Sequence, residues 1–135
     1  MSIFAVYDTN ILVSGLLSRS SDSAVVLTLE ALLHKEVIPL YNQEILDEYK
    51  EVLHRDKFKL HRELVDSVVD LIEKDGIETD SVHSGEEFKD QDDAVFYEVA
   101  LSKEDTFLVT GNAKHFPKKP IVVSPAEFMK ILGKR

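Results

Sequence analysis

Five acids carry most of the chemical information in this sequence: Asp8, Glu48, Asp90, Asp92 and Asp93. Asp8 directly follows the short apolar run 3–7 (IFAVY), whose lack of alternation suits a strand buried on both faces of a parallel sheet. Open α/β sheets bind ligands beyond the carboxyl ends of such strands, which is where Asp8 falls. Taken alone, an acid there equally suits the start of a turn with Asn10. Glu48 belongs to an amphipathic stretch whose apolar side is centred near Tyr49. Of Glu44, Asp47, Glu48 and Glu51 it lies nearest that side, roughly 90° from its centre by the 3.6-residue period. A carboxylate on that boundary either looks across the strand ends or forms a solvated helix edge, and position alone does not choose. Asp90, Asp92 and Asp93 precede the apolar positions Val95, Phe96, Val99 and Ala100, and Asp93 again lies roughly 90° from the buried side. Acids in a first helical turn complement the helix dipole by ~0.3–1 kcal/mol each, which accounts for one or two of them. Three within four residues repel one another, and a divalent cation is the counter-ion that would reconcile them.

Hard cations such as Mg²⁺ and Mn²⁺ prefer carboxylate and carbonyl oxygens. Asp8, Glu48 and Asp93, with Asp90 nearby, offer that donor type from separate parts of the chain. The matching chemistry is metal-assisted phosphodiester hydrolysis, in which bound cations activate a water and neutralise the leaving oxygen. No serine–histidine–acid arrangement has comparable support. The five histidines show no HxxxH spacing and read as surface or core residues. With no cysteine in the chain, a disulfide framework, a cysteine nucleophile and a thiolate zinc site are excluded.

Bringing distant acids together requires alternating strands and helices. Ser21 to Ser23 offer caps for a helix from Ser23 to Leu33, and Val37–Leu40 reads as a short strand made edge-like by Pro39. Asn42 caps a helix from 43 to about 56, and a second amphipathic stretch runs from Arg62 to Lys74, where Gly76 stops it. A short strand is expected at Ile77–Thr79, and Asp92 or Asp93 should open a helix reaching about Ser102. Thr106–Val109 and Pro120–Val123 are strand-like. The last helix begins at SPAE, with Ser124 at the cap, Pro125 in the first turn and Glu127 completing a capping box. This alternation predicts an α/β layer fold with a parallel sheet, organised as one domain over residues 1–135.

The balance of 16 Lys plus Arg against 25 Asp plus Glu gives a net charge of −9. That disfavours tight, sequence-independent nucleic-acid binding through a broad basic footprint, yet suits a chain that concentrates carboxylates around a cation. Local basic sets remain: Arg55, Lys57, Lys59 and Arg62, and six Lys or Arg in 113–135 against the single acid Glu127. The simpler reading of the C-terminal set is an ordinary solvated face. No apolar run approaches the ~20 residues of a membrane span, and the opening residues lack a signal peptide's basic and apolar regions, so a cytoplasmic protein is expected.

With these residues in view, the chain resembles the PIN-domain ribonucleases, especially the PIN-family toxins of toxin–antitoxin systems. The opening strand with YDTNILVSG is similar to the family's first signature, which implies Asp8 as metal ligand with Asn10 and Ser14 as supporting polar residues. NQEILDEYKEVL resembles the segment bearing the second acid, Glu48. KDQDDAVFYEVAL resembles the Asp-x-x-Asp helix start, implying Asp93 as third acid and Asp90 as its partner. LVTGNAKHF resembles the strand and loop of the fourth polar position, here Asn112 after Thr110, and VSPAEFMKIL the terminal helix. The resemblance implies a Rossmann-like PIN fold with a central parallel sheet of four to five strands flanked by helices. It further implies a Mg²⁺- or Mn²⁺-dependent endoribonuclease acting on RNA, with a cognate antitoxin and a homodimer as partners. The sequence departs from the pattern at Asn112, where many members carry an acid, which would weaken a second ion's site.

Two other readings compete. A phosphatase of the haloacid-dehalogenase type also ends its first strand in Asp but needs a second Asp two residues on, where this chain has Asn10; its paired acids also follow its Ser/Thr and Lys motifs, whereas Asp92 and Asp93 precede Thr110. A catalytically weak PIN module, working by binding RNA or a protein, would account for Asn112 and the net negative charge.

Overall fold

The structure is a computed structural model and describes residues 2–133. The apolar run after the N-terminus forms β1 (Phe4–Tyr7), with Ala5, Val6 and Tyr7 buried as expected for a strand covered on both faces. There follow α1 (Thr9–Leu17), α2 (Ala24–Leu33), β2 (Ile38–Tyr41), α3 (Gln43–Leu53) and α4 (Arg62–Asp75). The chain continues through β3 (Ile77–Glu78), α5 (Gln91–Ala100), β4 (Thr106–Val109), β5 (Val122–Val123) and α6 (Pro125–Ile131). The five strands make one parallel sheet in the order β3-β2-β1-β4-β5, flanked by six helices.

The strand order reverses between β1 and β4, whose register pairs Tyr7 with Val109. Residues 8 and 110 therefore leave the sheet side by side at its carboxyl edge, the place where open α/β sheets bind ligands. Two tyrosines fix the surroundings of that edge. The Tyr7 hydroxyl donates to the Thr28 carbonyl in α2 at 2.7 Å, and the Tyr49 hydroxyl of α3 donates to the Tyr7 carbonyl at 2.5 Å. Phe128 of α6, wholly buried, meets the rings of Tyr7 and Phe107 edge-on at 6.2 and 6.1 Å. Burying one such ring contributes roughly 1.5–3 kcal/mol.

Several elements depart from the sequence reading. Helix α1 was not anticipated: its residues are apolar nearly all round, so no polar face marks a helical period. Gly15 within it sits against Leu29, where an added Cβ would lie 3.1 Å from the Leu29 side chain. Strand β2 lies between β1 and β3 rather than at an edge. Pro39 is tolerated there because Ile38 directs its N–H to Ile3 of the β1 side, so position 39 faces the other neighbour, and β3 begins only opposite Leu40. Gly76 is required at the next turn, since a Cβ would come within 2.5 Å of the Pro39 carbonyl oxygen. Helix α3 stops at Leu53, β5 covers only Val122–Val123, and α5 starts at Gln91 because Asp90, not Asp92 or Asp93, is its cap. The capping box of α6 is formed as read, with Ser124 and Glu127 bonded reciprocally at 2.8 and 3.1 Å. Among the described residues, no helix is long and apolar enough to cross a membrane.

Candidate active site

Asp8 lies at the point where β1 becomes α1 and is only 6% exposed. Its main-chain N–H donates to the Val109 carbonyl at 2.9 Å, extending the β1–β4 pairing by one bond, and its carbonyl receives the Ile11 N–H. Its side chain therefore stays inside the fold and forms no cap bond to the helix it precedes. Instead its Oδ2 accepts the Thr110 hydroxyl at 2.7 Å and the Asn10 amide at 3.2 Å. The net closes on the β4 side, where Asn10 Oδ1 accepts the Gly111 N–H at 3.3 Å and the Thr110 hydroxyl accepts the Asn112 N–H at 3.0 Å.

Glu48 arrives from α3, whose start is fixed by the Asn42 side chain accepting the Ile45 N–H at 2.9 Å. It is the half-buried acid of its helix, whereas Glu44, Asp47 and Glu51 are exposed. Tyr49, next in sequence, ties α3 to the last residue of β1, and the Thr9 hydroxyl donates to Glu48 Oε2. Asp93 sits half-buried in the first turn of α5, its Oδ2 3.8 Å from His115 Nδ1. Asp90 and Asp92 are exposed, and Asp90 Oδ1 accepts the Asp92 N–H at 2.9 Å.

Burial raises the pKa of Asp8, Glu48 and Asp93 above the ordinary carboxylate range, and the acids add to this by repelling one another. Asp93 acts on Asp8; Asp8, Asp92 and Asp93 act on Glu48; Asp90 and Asp92 act on Asp93. Hydrogen bonds from Thr110 and Thr9 and the nearby His115 oppose the rise only in part. The Arg55 guanidinium feels the Glu48 charge but makes its direct bonds, of 2.9 and 2.8 Å, to Glu51. Among the described residues, no three His, Asp or Glu side chains are drawn together as a ready metal cage. The acids share one negative field and offer only hard oxygen donors, so in charge and donor type they fit a hard divalent cation.

A PIN-domain family model matches residues 5–114, a span holding every acid just described. This chain belongs to the PIN-domain family. No curated protein and no solved structure matched it. PIN domains are nuclease-type folds that generally use divalent metals and act on nucleic acid. The Rossmann-like parallel sheet implied by the resemblance is the sheet found.

In this PIN domain the structure brings Asp8, Asn10 and Thr110 into direct contact and sets Glu48 and Asp93 within electrostatic range of Asp8. Ser14 is exposed on α1 and makes no hydrogen bond to the acids. Asn112 joins the net through its main-chain N–H rather than its side chain, which lines an adjoining cavity with Asp90, Asp93 and His115. Sequence reasoning passed over Thr9 and His115. Thr9 lay inside the YDTN motif beside Asp8, and His115 lay three residues beyond Asn112, so both were within segments already singled out.

Proposed function

We propose that this PIN domain is a metal-dependent endoribonuclease that hydrolyses RNA phosphodiester bonds, working as the toxin-type component of a toxin–antitoxin pair in the cytoplasm. The observation that carries the reading is that Glu48 of α3 and Asp93 of α5 come from separate segments into electrostatic range of Asp8 at the β1–β4 switch point, each of the three held above its ordinary pKa by burial and by a neighbouring carboxylate. Asp8, Glu48 and Asp93 would hold Mg²⁺ or Mn²⁺, with Asp90 beside them. The ion, when bound, supplies the charge that activates a water and neutralises the leaving oxygen. Thr110 and Asn10 orient the Asp8 carboxylate, and Thr9 orients that of Glu48. Burial of Asp8 limits the water that would otherwise screen its field.

The test is cleavage of labelled single-stranded and structured RNAs with Mn²⁺, Mg²⁺ or EDTA, beside Asp8→Asn protein purified identically. Cutting that requires metal and disappears in the variant supports the nuclease; equal cutting by both proteins rejects it. Induced expression that arrests growth, with relief by a neighbouring gene product, supports the toxin role, and unimpaired growth counts against it. The second reading, a binding module, draws on the uncharged Asn112. Metal binding without cleavage of any RNA favours it, and activity gained by Asn112→Asp would identify a weakened nuclease site instead.

A further inference from the structure

The segment from 106 to 126 contains no acid, in a chain of net charge −9, and between Gly111 and Pro120 it carries Lys114, His115, Lys118 and Lys119. Beside Asp93 a cavity of about 850 Å³ opens between two loops, with Glu86, Glu87 and Lys89 on one and Asn112, Lys114 and His115 on the other. A second hollow of about 400 Å³ shares Lys114, Phe116 and Pro117 with the first and is bordered by Lys118 and Lys119. Adjoining across those shared residues, the two hollows make a trough that leads from Asp90 and Asp93 towards Lys118 and Lys119.

The trough is built into the fold. Phe116, 7% exposed, meets Phe88 edge-on at 6.2 Å, and Phe88 meets Tyr97 of α5 at 6.0 Å, so the two loops are pinned to each other and to the helix bearing Asp93. Further along the first loop, the Ser84 N–H and hydroxyl both donate to Glu98 Oε2 at 2.9 Å. Lys114, Lys118 and Lys119 are exposed and form no ion pair among the described residues. The other basic set is differently disposed: Arg55 is bound to Glu51, and Lys57 lies over the Phe58 ring at 5.1 Å.

We propose that this trough is the track of an unpaired RNA strand, with the phosphates on one side of the scissile bond following Lys114 and then Lys118 and Lys119. The assignment rests on the nuclease reading for its ligand class alone. Free lysines at the exit of an acid cluster supply the local positive field that the chain as a whole lacks. Glu86 and Glu87 outweigh Lys89 on the facing loop and so favour the lysine wall for the backbone. The larger hollow has the size of a small-molecule pocket, roughly 300–1,000 Å³, which suits single nucleotides rather than a duplex.

Binding separates this assignment from catalysis. Asp8→Asn protein is titrated with a fluorescent single-stranded RNA of mixed sequence at several NaCl concentrations, followed by anisotropy. Three phosphate contacts on a single strand give a log–log salt slope of about −2. Adding Lys114→Ala, Lys118→Ala and Lys119→Ala should flatten that slope towards zero and weaken binding at least ~10-fold at low salt. Lys57→Ala with Lys59→Ala and Arg62→Ala should change neither. Each variant is compared only where its melting temperature matches its parent's, and Lys118→Ala with Lys119→Ala should keep about a third of the slope. Unchanged affinity and slope in the three-lysine variant, no RNA binding by the parent, or equal loss in the control set would each overturn the track. RNA held through these lysines but never cut defeats the nuclease reading and leaves the track standing. Metal-dependent cutting that is indifferent to the lysines does the reverse.

Discussion

Asp8 and Glu48 are held in a different way from Asp90, Asp92 and Asp93. The first two are clamped by side-chain hydroxyls, Thr110 for Asp8 and Thr9 for Glu48, beside the end of β1. The others stand on the first turn of α5, bonded mainly to one another's main chain, with Asp90 and Asp92 exposed. The difference teaches that negative charge at the site has two sources. One is a desolvated pair whose orientation the core dictates, and the other is a helix start that is half-buried at Asp93 and solvated at its rim, Asp90 and Asp92.

The largest effect that distinguishes them is expected at Asp8. Asp8→Asn should lower metal-dependent cleavage by about 10³-fold, the several kcal/mol a catalytic cation supplies. It should also raise the melting temperature in EDTA at neutral pH. The sign follows from linkage: the folded pKa of Asp8 lies above its ordinary value, so its stabilising share is intact below the ordinary value and is lost as pH rises through the folded one. The stability gap between variant and wild type should therefore close as the solution is acidified below pH ~4. A variant less stable at neutral pH than at acid pH, relative to wild type, would contradict the desolvated picture.

Next comes the clamp itself. Thr110→Val keeps shape but removes the donor to Asp8, and metal affinity measured by calorimetry should fall about 10–100-fold. Unchanged affinity would mean the carboxylate needs no orientation. Smaller still is the rim: Asp90→Ala should cost about 1 kcal/mol of stability through the lost cap on α5, seen as a lower melting temperature, while Asp90→Ser should restore it. If cleavage follows charge rather than capping across that pair, Asp90 belongs with the clamped acids. The smallest effect is the control on α6, where Ser124→Ala should lower stability by about 1 kcal/mol and leave cleavage alone.

The same contrast explains what could be read in the sequence. Thr106–Val109 was legible to the residue, and so was the Ser124–Glu127 box, because each is set by neighbours a few positions away. The strand-end place of Asp8 was legible because an acid follows an apolar run, and the half-buried place of Glu48 because a helical wheel sets it nearest the apolar side, although the wheel left open whether it faces the strand ends. The Thr9–Glu48 bond spans 39 positions and the Thr110–Asp8 bond 102, and only the parallel register brings such partners together. Helix α1 was hidden by uniform apolarity, and the interior place of β2 by a proline whose missing N–H happens to face a strand not yet begun.

Both outer strands of the sheet, β3 and β5, are two residues long. A strand that short exposes almost no unpaired main chain, so a second sheet has little to extend. The buried strand β1, an apolar segment that could stack into fibres if released, lies at the centre of the sheet with β2 and β4 paired on its two sides. Overproduced in a cell, the folded protein should stay dispersed, and its aggregation should track unfolding rather than concentration of the native form.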